Sequence, residues 1–240
     1  MNLLGALHKG KDALQGLVPF KVIQSRVYKR TFQRFASKIG LVYFGYVDQR
    51  NDEHSLIRGM TVSTKHRDNH YCIGSFEGYD ITLVERVDTI HVPAKPPRTH
   101  RWIIMTLDLH HAVDLPHVFL GSHSHSDMFY EQFFTKYAHF SKIDLPEANL
   151  YSQQFLKRYA LYTKADQALS AERLFSPSLA NTIAEQFGSL TIEIYDGTIY
   201  LYAEYQQPSA TLLEGMLTRG LWLARAIDGH SSSPEEPANS

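Results

Sequence analysis

The sequence has one cysteine, Cys72, in 240 residues, so no internal disulfide is available, and a reducing compartment, the cytoplasm, is the expected setting. No run approaches the roughly 20 consecutive apolar residues that a membrane-spanning helix needs, and no signal peptide is evident. There is no charge excess of either sign: 24 Lys and Arg stand against 25 Asp and Glu, a net charge of −1. Such a chain has no global field to draw it to polyanions, and no nucleic acid is expected as a partner. Recognised catalytic signatures are missing as well. Gly74-Ser75 is followed by Phe76 and Glu77, so the Gly-x-Ser-x-Gly elbow is incomplete. Gly5, Gly10 and Gly16 are spaced for neither a Walker loop nor a dinucleotide fingerprint.

What is present is a folding composition, with 43% hydrophobic and 20% charged residues, enough to bury a core. The length exceeds the usual single domain and admits two lobes. Residues 1–40 read as a leading helical segment. Leu3, Leu4, Leu7, Leu14, Leu17 and Val18 have helical spacing with Lys9 and Lys11 between them, which suits an amphipathic interfacial helix or one packed on its own domain. Residues 22–39 repeat the pattern, with Val22, Ile23, Val27, Phe32, Phe35 and Ile39 as the apolar stripe, a basic face at Lys29, Arg30 and Arg34, and Gly40 as the stop.

Residues 41–150 change to a period of two and read as a β-rich, mostly antiparallel lobe. Strands are expected at 41–47, 71–76, 79–87, 102–109 and 118–120, with Glu77-Gly78 as a hairpin turn. Residues 93–97 form a proline-rich loop, and 129–140 fit helix or strand equally. Residues 151–229 read as an α/β lobe: a strand over 155–163, a helix over 165–175, and a second helix capped by Ser176 with Pro177 in its first turn. A hairpin then turns at Asp196-Gly197, and a last helix opens at Ser209 and ends near Gly229. Residues 230–240 have little to bury and are expected to be disordered. The fold class is therefore α+β.

These features together resemble a family of uncharacterised bacterial α+β proteins, a domain of unknown function. The resemblance spans residues 71–228. It lies in Leu115-Pro116-His117-Val118-Phe119-Leu120, in Phe155, Tyr159 and Asp166, in the helix start at Ser176-Pro177, and in the hairpin from Ile192 to Gly197. Members of such families often carry membrane-spanning segments before the soluble part, where this chain has the leading amphipathic stretch. The resemblance implies no catalytic residues.

Histidine is the compositional outlier: 13 in all, 11 of them from His54 to His139. His123, His125 and Asp127, just after an apolar strand, are the candidate metal ligands, because a loop at a strand end can bring two imidazoles and a carboxylate onto one divalent transition metal. The run superficially resembles the His-x-His-x-Asp-His of metallo-β-lactamase-like hydrolases, but Met128 replaces the last histidine, and a solvated loop is the plainer reading. His139 is a further candidate ligand. His110 and His111 with His117 form a second cluster, although neighbours in a strand point to opposite faces. His66, His70 and Cys72 form a third, with a buried, inert cysteine as the better expectation. Glu193 and Glu204 are assigned no role. Tyr43, Phe44 and Tyr46, or Phe129, Tyr130, Phe133 and Phe134, would line a groove for peptide or lipid, with core packing the preferred explanation.

The functional expectation is a non-enzymatic binding or interaction module with a protein or lipid partner, peripheral to a membrane and without a cofactor. The alternative is a metal-dependent hydrolase or metal-binding protein centred on His123, His125 and Asp127.

Overall fold

The computed structural model describes residues 20–47, 66–90, 98–111, 114–122, 139–145, 150–204 and 206–231. The first helix, α1 (Phe20–Ile39), buries Phe32, Phe35, Ala36 and Ile39, whose spacing places them on one side of a 3.6-residue period. It ends where Gly40 takes φ +80° and the Leu41 N–H reaches back to the Ala36 carbonyl at 2.8 Å. That bond closes the left-handed cap that glycine adopts without a Cβ penalty and sends the chain back along the helix as a strand.

Four strands follow: β1 (Val42–Val47), β2 (His66–Phe76), β3 (Tyr79–Ile90) and β4 (Arg98–Asp108). Glu77 and Gly78, both at positive φ, form the β2–β3 turn as expected. Then come β5 (Val118–Ser122), β6 (Phe140–Lys142), α2 (Gln153–Arg158), β7 (Tyr159–Lys164), a 3₁₀ turn (Ala165–Gln167), α3 (Ala168–Leu174) and α4 (Pro177–Gln186). The chain closes with β8 (Thr191–Tyr195), β9 (Thr198–Glu204) and α5 (Ala210–Ser231).

Among the described residues, the strands form one nine-stranded sheet in the order β1-β2-β3-β4-β9-β8-β5-β7-β6, and every neighbouring pair is antiparallel. The junction is β4 on β9, with Trp102 opposite Glu204 and Ile104 opposite Tyr202, so residues 41–150 and 151–229 contribute to a single sheet. One face carries the larger core. Phe32 of α1, Phe155 of α2, Ala171 of α3, Ile183 of α4 and Met216 of α5 meet Leu83, Met105, Leu120, Ile192 and Leu201 of the strands there. The opposite face carries a smaller cluster of strand residues alone: Tyr71, Val84, Trp102, Ile104, Phe119, Tyr200 and Tyr202. The α+β expectation is met, with the sheet begun first and most helices later.

Three local expectations change. Residues 153–158 are helix rather than the start of a strand, because Ser152 accepts the Phe155 N–H at 3.1 Å and caps a helical turn. The single helix expected over 165–175 is a 3₁₀ turn followed by α3. The last helix, expected to end near Gly229, runs two residues further to Ser231, and Gly229 is not among the glycines at positive φ.

Candidate functional site

Chemistry-bearing side chains collect in two places, and the first is the sheet face opposite the larger core. Period-two alternation puts Asp68, Arg86, Asp88, His100, Glu204 and Glu193 on that face; all but Glu204 are buried residues, and the Glu204 side chain is 5% exposed. Arg86 makes a bidentate pair with Asp68, Nε to Oδ1 and Nη2 to Oδ2, each 2.8 Å. Burial alone would lower the Arg86 pKa; the bond and charge of Asp68, with Asp88 and Tyr202 nearby, more than offset this and raise it. The Trp102 indole N–H donates to Asp88 at 2.9 Å, and His100 Nε2 lies 2.8 Å from Glu204 Oε1.

A second buried group joins the residue just before β5 to positions on β8 and β9. His117 Nε2 is 2.7 Å from Glu193 Oε1, and the Tyr202 hydroxyl donates to Glu193 Oε2 at 2.5 Å. Burial first, and the Glu193 charge and bond next, push the Tyr202 phenol well above its ordinary pKa. His117 is held by its neighbours: its backbone N–H donates to Gln167 Oε1 at 3.1 Å, Thr163 donates to its carbonyl at 2.6 Å, and its ring lies 4.3 Å from that of Tyr195. The sequence assigns Glu193 and Glu204 no role, but both side chains are buried and partnered. The available signal was an acid alternating with isoleucines in Ile192-Glu193-Ile194. These contacts tie the buried polar groups of neighbouring strands to one another and help to fix the strand register.

The histidine clusters disperse. His117 sits with Glu193, while His110 and His111 lie after β4 with their Nδ1 atoms 3.5 and 3.8 Å from the Asp228 carboxylate of α5. Adjacent histidines were expected to diverge, but here the chain has left the strand and both turn to one acid. Asp228 also accepts the backbone N–H groups of both, at 3.2 and 3.0 Å, and the Tyr79 hydroxyl at 2.9 Å. It thus works as a clamp between α5 and the chain end of β4. Cys72 is fully buried, with its thiol pushed up to about 12 by burial, which fits the inert cysteine expected. His70, at φ +56°, is bonded through Nδ1 to the Tyr43 hydroxyl at 2.9 Å and stacks on Phe32. His123, His125 and Asp127 lie outside the described residues, as do Phe129, Tyr130, Phe133 and Phe134. Among the described residues, no group of three or more His, Cys, Asp or Glu is arranged to hold a metal ion.

The second place is the β1 edge. The α1 sequence, FKVIQSRVYKRTFQRFASKI, contains six Lys and Arg and no Asp or Glu. Among the described side chains, Arg26, Lys29, Arg30 and Arg34 are exposed, and Lys38, bonded to Glu214 at 2.6 Å, is the one with an acidic partner. On β1, Tyr43 packs on the core, but Val42, Phe44 and Tyr46 are exposed at 57, 59 and 59%, and Ile73 of β2 beside them at 39%. Core packing, the preferred reading of these aromatics, therefore holds for Tyr43 and not for Phe44 and Tyr46. The Arg67 guanidinium stands 6.0 Å from the Tyr46 ring centre.

No helix among the described residues is long and apolar enough to cross a membrane. No family model matches the chain, and no curated protein matches it, so the resemblance to an uncharacterised family rests on its sequence patterns. Among solved structures, the mycobacterial trehalose monomycolate transport factor A is similar, with a TM-score of 0.52 and 12% sequence identity over 85% of this chain and 94% of that one. At that identity the likeness shows a shared fold and nothing finer.

Proposed function

We propose that this chain is a non-enzymatic binding module that works against a membrane surface, with a lipid or protein partner. One observation carries the reading: a helix with cations only, on a chain whose net charge is −1. Segregated positive charge of this kind is what an anionic leaflet attracts, at about 1 kcal/mol per Lys or Arg held near the surface. The fold shared with a protein named as a transport factor for trehalose monomycolate agrees with a role beside lipid. The ionisable groups of the sheet interior agree too, since they are spent on one another.

Co-sedimentation of the full chain, and of a version lacking residues 1–19, with phosphatidylglycerol and phosphatidylcholine vesicles tests this reading. The full chain is expected to bind the anionic vesicles at low salt and to release toward 1 M salt, where the Debye length is about 3 Å. Absence of binding by both versions at low salt contradicts the membrane role and leaves a soluble partner. A non-enzymatic module also predicts no stoichiometric zinc, manganese or iron in tag-free protein. About one equivalent, lost in His123→Ala/His125→Ala, would instead support the metal-dependent hydrolase.

A further inference from the structure

Resting on the membrane reading above, we infer that the β1 edge is the membrane-docking surface: Val42, Phe44, Tyr46 and Ile73 enter the boundary between headgroups and acyl chains of an anionic bilayer while Arg26 and Lys29 contact its phosphates.

The geometry begins at the Gly40 cap, which folds β1 back along α1. From Ile39 to Lys29 the helix rises about 15 Å, and from Val42 to Tyr46 the strand advances about 13 Å, which sets Lys29 level with Tyr46. Ring contacts agree with this placement: Phe32, three residues on from Lys29, stacks on His70 with ring centres 4.9 Å apart, and His70 bonds Tyr43 of β1. At about 100° per residue, Lys29 lies about 180° and Arg26 about 120° round α1 from Lys38, the residue tied to Glu214 of α5, while Arg30 points away from the sheet. Lys29 and Arg26 therefore flank the sheet edge on its α1 side, Val42, Phe44 and Ile73 stand on the other side of the same edge, where Phe44 meets Tyr71, and Arg67 adds a further cation at Tyr46.

Charge and backbone together select the occupant. A second copy paired through β1 about a two-fold axis would set two cation-only α1 helices side by side, which like charges oppose. An added peptide strand needs a regular ladder edge, but β1 is irregular: its register with β2 shifts between Tyr43 and Gly45 and again between Gly45 and Val47, with Gly45 at φ +82°. An anionic bilayer requires no backbone register. It accepts apolar side chains and an amphipathic tyrosine at the depth where cations meet phosphate.

The test places an environment-sensitive maleimide dye at Phe44→Cys and, as a control, at Ser170→Cys, exposed on α3, which packs at β7 near the other end of the sheet. Buried Cys72, with its thiol held up at about 12, stays unlabelled. With phosphatidylglycerol vesicles, the dye at position 44 is expected to shift to the blue and the dye at 170 to stay unchanged. The unlabelled Phe44→Ser/Tyr46→Ser variant is expected to bind these vesicles about tenfold or more weakly with an unchanged circular dichroism spectrum. Vesicle binding without a shift at 44 overturns the inference and leaves the membrane reading standing, whereas no vesicle binding by the unlabelled full chain removes both. A shift at 44 that grows with protein concentration in the absence of vesicles assigns the edge to a second copy and also overturns it.

Discussion

The same sheet uses charged and aromatic side chains in two opposite settings. In the middle of the sheet face opposite the larger core, Arg86 is paired with Asp68, and Glu193 with His117 and Tyr202, all of them buried. At the β1 edge, Phe44 and Tyr46 stand open, and Arg26, Lys29, Arg30 and Arg34 face solvent with no acid on their own helix. A buried charge is costly unless matched, so the interior groups are committed to each other and to strand register. Exposed charges and aromatics contribute little to folding, which leaves them free for contacts outside the molecule. Groups identical in chemistry therefore belong to stability in one place and to binding in the other.

Mutation can break that contrast. The largest effect is expected from Arg86→Met, which strands the Asp68 carboxylate and should cost about 3–5 kcal/mol in urea unfolding. The double variant Asp68→Leu/Arg86→Met should recover most of the loss, because removing both members of a buried pair is far cheaper than removing one. Glu193→Gln keeps the shape but weakens the bonds to His117 and Tyr202 and should cost about 1–3 kcal/mol by the same measurement.

A smaller, pH-dependent effect belongs to His70, under the edge. Its folded pKa is below the ordinary 6.5, through burial and then Lys29, and Glu85, 3.9 Å from the ring, does not offset them. As pH falls below 6.5, the unfolded chain binds a proton that the folded chain refuses. The associated stability is complete above 6.5 and lost as pH falls through the folded value. His70→Asn, which tolerates the positive φ, should flatten that part of the stability profile between about pH 7 and pH 5. Least of all, Lys38→Ala and Phe44→Ser should each move the unfolding free energy by no more than about 0.5 kcal/mol, although Phe44 is bulky and apolar.

The most legible parts of the sequence were those in which local chemistry settles the structure. Glu77-Gly78 and Asp196-Gly197 placed their hairpins, and Ser176-Pro177 opened α4, because turn and cap geometry is decided by the residues themselves. The first half of β2 and the start of β4 were not legible. His66, Arg67, Asp68, Asn69 and His70 look like a polar loop until Arg86 of β3 is set opposite Asp68, and that pairing is a tertiary fact. The same holds for Glu193, whose partners lie nine and seventy-six positions away in the chain. The basic face of α1 was readable from its spacing, whereas the exposure of Phe44 and Tyr46 required knowing that β1 is an edge strand.

The most direct test of the account is the salt-dependent affinity of Arg26→Gln/Lys29→Gln/Arg30→Gln/Arg34→Gln for phosphatidylglycerol vesicles, measured beside the unaltered full chain and with unfolding midpoints for both. The account predicts equal folding stability, a loss of at least about a hundredfold in vesicle affinity at low salt, and a flattened salt dependence. Unchanged affinity and salt slope in a folded variant would contradict it.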